Sequence, residues 1–264
     1  MKNSIDLTHA KKQFENYLSD YDIEDPKIHL KVTHTYRVME VCRTLATALS
    51  FDEEGINLAT LIGLLHDIGR FEQLRLTNSF DDSIIPHAKC SLDVLFTQGY
   101  IHKFVENPMY DDIIYESIKN HGLFQIDSSL EGDCLLYAKL IRDADKLDNF
   151  HTKLIEEIDT MLDVDMDNLA KETISDYAYE TFLAHKPLEN SKRKTHLDMW
   201  LSYIAYIYDL NFQASFCYTK EHDYANRLFA RIPYKHPDTI SKIKTLQNCM
   251  NSFILLKTEN TKTD

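Results

Sequence analysis

Apolar residues along this chain recur at spacings of three and four, the period of helices that bury one face, and strict alternation is rare. Ile5, Phe14, Tyr17, Leu18 and Tyr21 carry that spacing over 5–21, and Asp25-Pro26 is where a helix is expected to stop, because proline pushes the preceding residue out of helical geometry. A second helix is expected over 28–49, with Val38, Val41, Leu45 and Leu49 on one stripe and His34 on the same stripe. Asp52 can cap a third helix whose body, Leu58 to Leu65, is apolar nearly all round and should be buried. Gly69 is expected to close that helix, which delivers His66 and Asp67 from its last turn.

A polar loop should run from Thr77 to Pro86, followed by a helix from about His87 to Gly99. Asn107-Pro108 signals another helix, with Ile113, Ile114 and Ile118, that stops at His121-Gly122. A helix of 132–150 places Leu135, Ala138, Ile141 and Leu147 together with Asp143, Asp145 and Asp148. The remainder to Lys257 reads as helical, broken near His185-Lys186-Pro187 and between Pro233 and Pro237, with a polar tail after it. Six glycines and six prolines in 264 residues supply too little turn material for many short strands, so the expected fold is all-α. Two parts are expected: a core over 1–150, and a helical extension over 151–264 packed on it. The aromatics from Trp200 to Tyr218 would form the spine of that extension.

Charge narrows the partners. Asp and Glu number 42 against 29 Lys and Arg, a net charge of −13, so the overall field repels polyanions and nucleic acid is not an expected partner. The basic piece Lys186–Lys194 has too few charges to reverse that. A small phosphate ester is still admissible, because a metal ion can invert the potential inside one cleft. Cys42, Cys90, Cys134, Cys217 and Cys249 lie far apart with no CxxC pair and read as reduced thiols. Neither a signal-peptide run nor a bilayer-spanning stretch is visible; Met199–Leu210 is short and carries Asp209. A cytoplasmic protein without membrane contact is the expectation.

His66 and Asp67, side by side at the end of an apolar helix, need a compensating partner once desolvated, and a divalent cation is one. Consecutive helical residues diverge by about 100°, so further ligands must come from other helices. His34 and Asp145 are the candidates. In the order His34, His66-Asp67, Asp145, and in the local words His34-Thr35-Tyr36-Arg37-Val38, Leu65-His66-Asp67-Ile68-Gly69-Arg70 and Asp145-Lys146-Leu147-Asp148-Asn149, the chain resembles the HD-domain superfamily over about 28–150.

That resemblance implies a helical core in which the four residues bind a divalent metal and metal-activated water attacks phosphorus. Imidazole and carboxylate without thiolate suit Mn, Fe, Co, Ni, Zn or Mg. His87 and His121 complete a longer order, similar to subgroups of the family that use a second metal ion; alternatively, either histidine contacts the phosphate or protonates the leaving group. Asp67, His87, His121 and Arg70 are therefore the candidate catalytic residues. Arg70, Lys146, Asn149 and Arg37 are substrate-binding candidates, three with a plainer alternative: Arg70 can pair with Glu72 or Asp82, Asn149 can cap a helix, and Arg37 can point at acidic neighbours. The expected function is hydrolysis of a phosphate ester or anhydride of a small phosphorylated molecule, a nucleotide first among them, with one or two ions. The rival expectation is a non-catalytic HD-fold ligand-binding or regulatory module. Such degenerate relatives usually lack a metal ligand, whereas this chain has the whole set.

Overall fold

A computed structural model describes residues 5–259; Met1–Ser4 and the end of the polar tail, beyond Glu259, lie outside it. The described residues are helical and contain no strand, in keeping with the all-α expectation. The chain forms two compact units whose boundary in sequence falls between Asp145 and Lys146.

In the first unit, α1 (Leu7–Leu18) is capped by Asp6, whose carboxylate accepts from the His9 N–H. Asp25-Pro26 opens the next helix as well as following the first: Asp25 accepts from the N–H groups of Lys27 and Ile28, and Pro26 starts α2 (Pro26–Ala48). Asp52 caps α3 (Glu53–Leu65) as its position implied, accepting from Gly55 N–H, and Leu58 to Leu65 are all buried. Gly63 allows α2 and α3 to cross closely, since a Cβ there would lie 2.8 Å from Met39 Cα and 3.0 Å from Cys42 Sγ. That crossing faces His34 toward His66.

Gly69 does not close α3. The helix ends at Leu65, residues 66–68 form a turn, and Gly69 is the first residue of α4 (Gly69–Thr77). The glycine is required by packing, because a Cβ at 69 would stand 2.0 Å from the Ser91 nitrogen on α5 (His87–Leu92). Helix α5 passes into a π-helical turn, Asp93–Thr97, and the segment ends at Gly99 with φ +73°, as its glycine implied. After α6 (Ile101–Phe104), a 3₁₀ turn at Pro108–Tyr110 leads into α7 (Asp111–His121). Helix α8 (Gly132–Ile155) runs past the expected end at 150.

The second unit contains α9 (Ile158–Leu162), α10 (Met166–Lys171), α11 (Asp176–Leu183), α12 (His196–Ile204), α13 (Gln213–Glu221), α14 (Tyr224–Ala230) and α15 (Pro237–Glu259). Both expected breaks are present, the first marked by His185 at φ +56°. Of the aromatics from Trp200 to Tyr218, Trp200 and Phe216 are buried while Tyr203, Tyr206, Tyr208, Phe212 and Tyr218 are half-buried, and Met199–Leu210 divides between the end of α12 and a 3₁₀ turn. No described helix is long and apolar enough to cross a membrane.

Candidate metal centre

Five separate pieces of backbone bring six side chains together. His34 comes from the middle of α2, His66 and Asp67 from the turn after α3, His87 from the first residue of α5, His121 from the last of α7, and Asp145 from α8. Their donor atoms fall into two groups. In the first, His34 Nε2 is 3.2 Å from Asp145 Oδ1 and 3.4 Å from His66 Nε2, and Asp67 Oδ2 lies 3.6 and 3.7 Å from those two nitrogens. In the second, His87 Nε2 and His121 Nε2 are 2.9 Å apart and lie 3.5 and 3.6 Å from Asp67 Oδ1. One carboxylate thus faces both groups, one oxygen to each.

The far edges of the imidazoles are anchored. His66 Nδ1 donates to Gly63 O at 2.7 Å and His121 Nδ1 to Ile118 O at 2.6 Å, each three residues back on its own chain. His87 Nδ1 donates instead to a carboxylate, that of Asp82, at 2.8 Å from both oxygens. A proton held at Nδ1 leaves the neutral ring's Nε2 as a bare lone pair. The Nε2 atoms of His87 and His121 therefore face each other as two acceptors at 2.9 Å, which requires a cation or a shared proton between them. Asp67 Oδ1 is buried and has no hydrogen-bond partner among the described residues. Donors about 2.0–2.2 Å from a common ion stand roughly 3–3.6 Å apart, the range of most of these separations. The residues fit divalent metal, and the set has no thiolate.

Electrostatics favours the ligand forms. Burial, outweighing the nearby Asp67 charge, pushes the His66 imidazole down to about 4. His87 is lowered too, chiefly by burial. Burial alone would raise Asp67, but Lys31, His66, His121 and Arg70 outweigh it and hold the carboxyl well below the usual range. Asp145 is likewise held low, against burial, by its hydrogen bond and charge interaction with His34.

The substrate-binding candidates are more dispersed. Arg70 Nη1 bonds Asp82 at 2.9 Å and Gln73 Oε1 at 2.7 Å, so pairing with Asp82 is the alternative present in the structure; its Nε lies 3.6 Å from Asp67 Oδ1. Arg37 is half-buried on α2, one turn past His34. Lys146 is buried and pairs with Asp209 at 2.9 Å, and Asn149 is half-buried one turn further along α8. Arg142 lies one turn before Asp145 on α8. Its buried guanidinium donates to the carbonyls of Asn120, His121, Leu123 and Phe124, and so caps the end of α7.

Sequence reading missed Lys31, whose ammonium lies 2.9 Å from Asp67 Oδ2 and 5.4 Å from the Phe80 ring centre. Its position one turn before His34 on α2 was the available signal. It also missed Asp82 as a partner of His87, and Gly122, where a Cβ would press on the His87 ring at 3.0 Å.

The family model for the HD domain matches residues 32–149, a stretch that includes all six of these side chains. No curated protein and no solved structure matches the chain. HD domains bind divalent metals and belong to a superfamily of metal-dependent phosphohydrolases. Residues 32–149 are an HD domain, the fold and residue pattern of the HD-domain superfamily.

Proposed function

We propose that the chain is a phosphohydrolase that cleaves a phosphate ester or anhydride of a small molecule, a nucleotide first among the candidates, at a site holding two divalent ions. The observation that supports this best is Asp67, whose two oxygens face two separate donor groups. His34, His66 and Asp145 would hold one ion, joined by Asp67 Oδ2, and His87, His121 and Asp67 Oδ1 the other. Ions bound there lower the pKa of bound water toward neutrality and neutralise charge on phosphoryl oxygens.

The chain's own residues do the rest. Asp67 and Asp145 stay ionised and offset part of the cationic charge, while the Nδ1 bonds of His66, His87 and His121 keep each Nε2 directed at the centre. Lys31 and Arg70, the cations nearest Asp67, add a positive field that favours an anionic substrate within a chain of net charge −13. The partner is thus a small phosphorylated molecule, with nucleic acid and membrane outside the proposal.

Metal analysis of the purified protein, joined to a screen of nucleotides, cyclic dinucleotides, dinucleoside polyphosphates and simple phosphate esters, tests the reading. Asp67→Ala should remove bound metal and lower turnover by at least about 100-fold, the scale on which loss of a metal or electrostatic centre acts. A variant that keeps both its metal and its turnover would end this proposal.

A further inference from the structure

The loop between α4 and α5, residues 78–86, carries a carboxylate that is 45% exposed yet makes an unusual number of inward contacts. Asp82 accepts from Arg70 Nη1 at 2.9 Å and Nη2 at 3.4 Å, from Gln73 Nε2 at 3.0 Å, from the His87 backbone N–H at 3.1 Å and from His87 Nδ1 at 2.8 Å. Its two main supports are themselves fixed. Gln73 is fully buried and also donates to Ile85 O at 2.6 Å, and Arg70 also donates to Phe80 O at 3.1 Å. The loop is therefore tied to α4 on both sides of Asp82.

His87 differs from His66 and His121 in what this does for it. Those two rings are oriented by carbonyls of their own helical segments, which come with the fold. His87 is the first residue of its helix and has no carbonyl three residues back on that helix to accept from Nδ1. The acceptor must come from outside, and Asp82 supplies it. A carboxylate on the far nitrogen fixes the tautomer, orients the ring and makes the opposite nitrogen more basic.

We propose that Asp82 is a positioning residue for the second ion: it acts through His87 Nδ1 to hold His87 Nε2 as a ligand beside Asp67 Oδ1 and His121 Nε2. This rests on the two-ion reading above and deepens it, since it makes the second ion dependent on a loop that none of the six donor residues belongs to. Arg70 and Gln73 act one step further out, as the supports that keep the carboxylate in place.

The test is equilibrium binding of cobalt(II) alone to the full chain after chelator treatment, followed by calorimetry and by the cobalt absorption bands, in the parent protein, Asp82→Ala and Asp82→Asn. The parent should take up two equivalents. Asp82→Ala should weaken one of the two steps by about 10–100-fold while leaving the other within about threefold, because the supporting partner of a single ligand has been removed. Asp82→Asn, which keeps an acceptor oxygen but loses the charge, should fall between the two. Two unchanged steps in Asp82→Ala, or two steps weakened equally, would overturn the assignment while leaving the two-ion reading standing. A parent protein that binds no cobalt would overturn both.

Discussion

His66 shows what burial does to a single residue. Its ring is held at about 4, below the 6.5 or so of an exposed histidine, so between those values the unfolded chain binds a proton that the folded chain refuses. Stability is therefore complete above about pH 6.5 and declines as pH falls toward 4; His87 is shifted in the same direction. The lowered carboxyls of Asp67, Asp82 and Asp145 add a further loss below the ordinary carboxylate range. In chelator-treated protein, denaturant melts at pH 7.5, 6 and 5 should show unfolding free energy dropping by up to about 1.4 kcal/mol per unit for each such histidine. Stability that is flat or rises with acid over that range would mean these rings are not buried in neutral form. At this scale the sequence was informative about which residues matter but silent about their second contacts. Spacing sets Lys31 one turn before His34, but nothing in it separates Asp82 or Gly122 from ordinary turn residues.

The elements act by fixing where those side chains leave the backbone. The close crossing of α2 and α3 at Gly63 sets the separation of His34 from His66, and a Cβ at that position meets backbone that cannot swing aside. Gly63→Ala should therefore cost about 1–3 kcal/mol by overpacking and push the two helices apart. Thermal melts should show the loss, and metal affinity should fall along with it. A variant that melts and binds like the parent would show that the crossing has slack. The body of α3 was legible in sequence because its residues are apolar on all faces. Gly69 was misread because a glycine after an apolar helix fits either a cap or a close packing contact, and only the position of α5 distinguishes them. Asp25-Pro26 is a similar case, since the same pair that follows one helix caps the next.

For the whole molecule, the proposed ions are the largest charges in a protein of net charge −13, and their donors come from helices far apart in sequence. A ligand that binds only the folded state stabilises it by mass action, about 2.7 kcal/mol at one hundred times its dissociation constant. Adding manganese or cobalt to stripped protein should raise the melting temperature by about 5–10 °C, on the usual conversion for units of this size. The same addition to Asp67→Ala should produce little change. An equal rise in both would place the binding elsewhere on the chain.

The period of the apolar residues determined that this chain is helical, because one-sided burial imposes that spacing wherever the helix packs. The ordered set His34, His66-Asp67, Asp145 with its flanking words pointed to the HD domain, because imidazole and carboxylate at fixed places in a buried helical frame leave a pattern in the sequence itself. Tertiary structure alone decided that Asp67 turns one oxygen to each donor group, that Arg70 is engaged by Asp82, and that Lys31 lies beside the same carboxylate. Those facts depend on how helices distant in sequence cross and on the direction each side chain takes from them, and neither leaves a periodic trace along the chain.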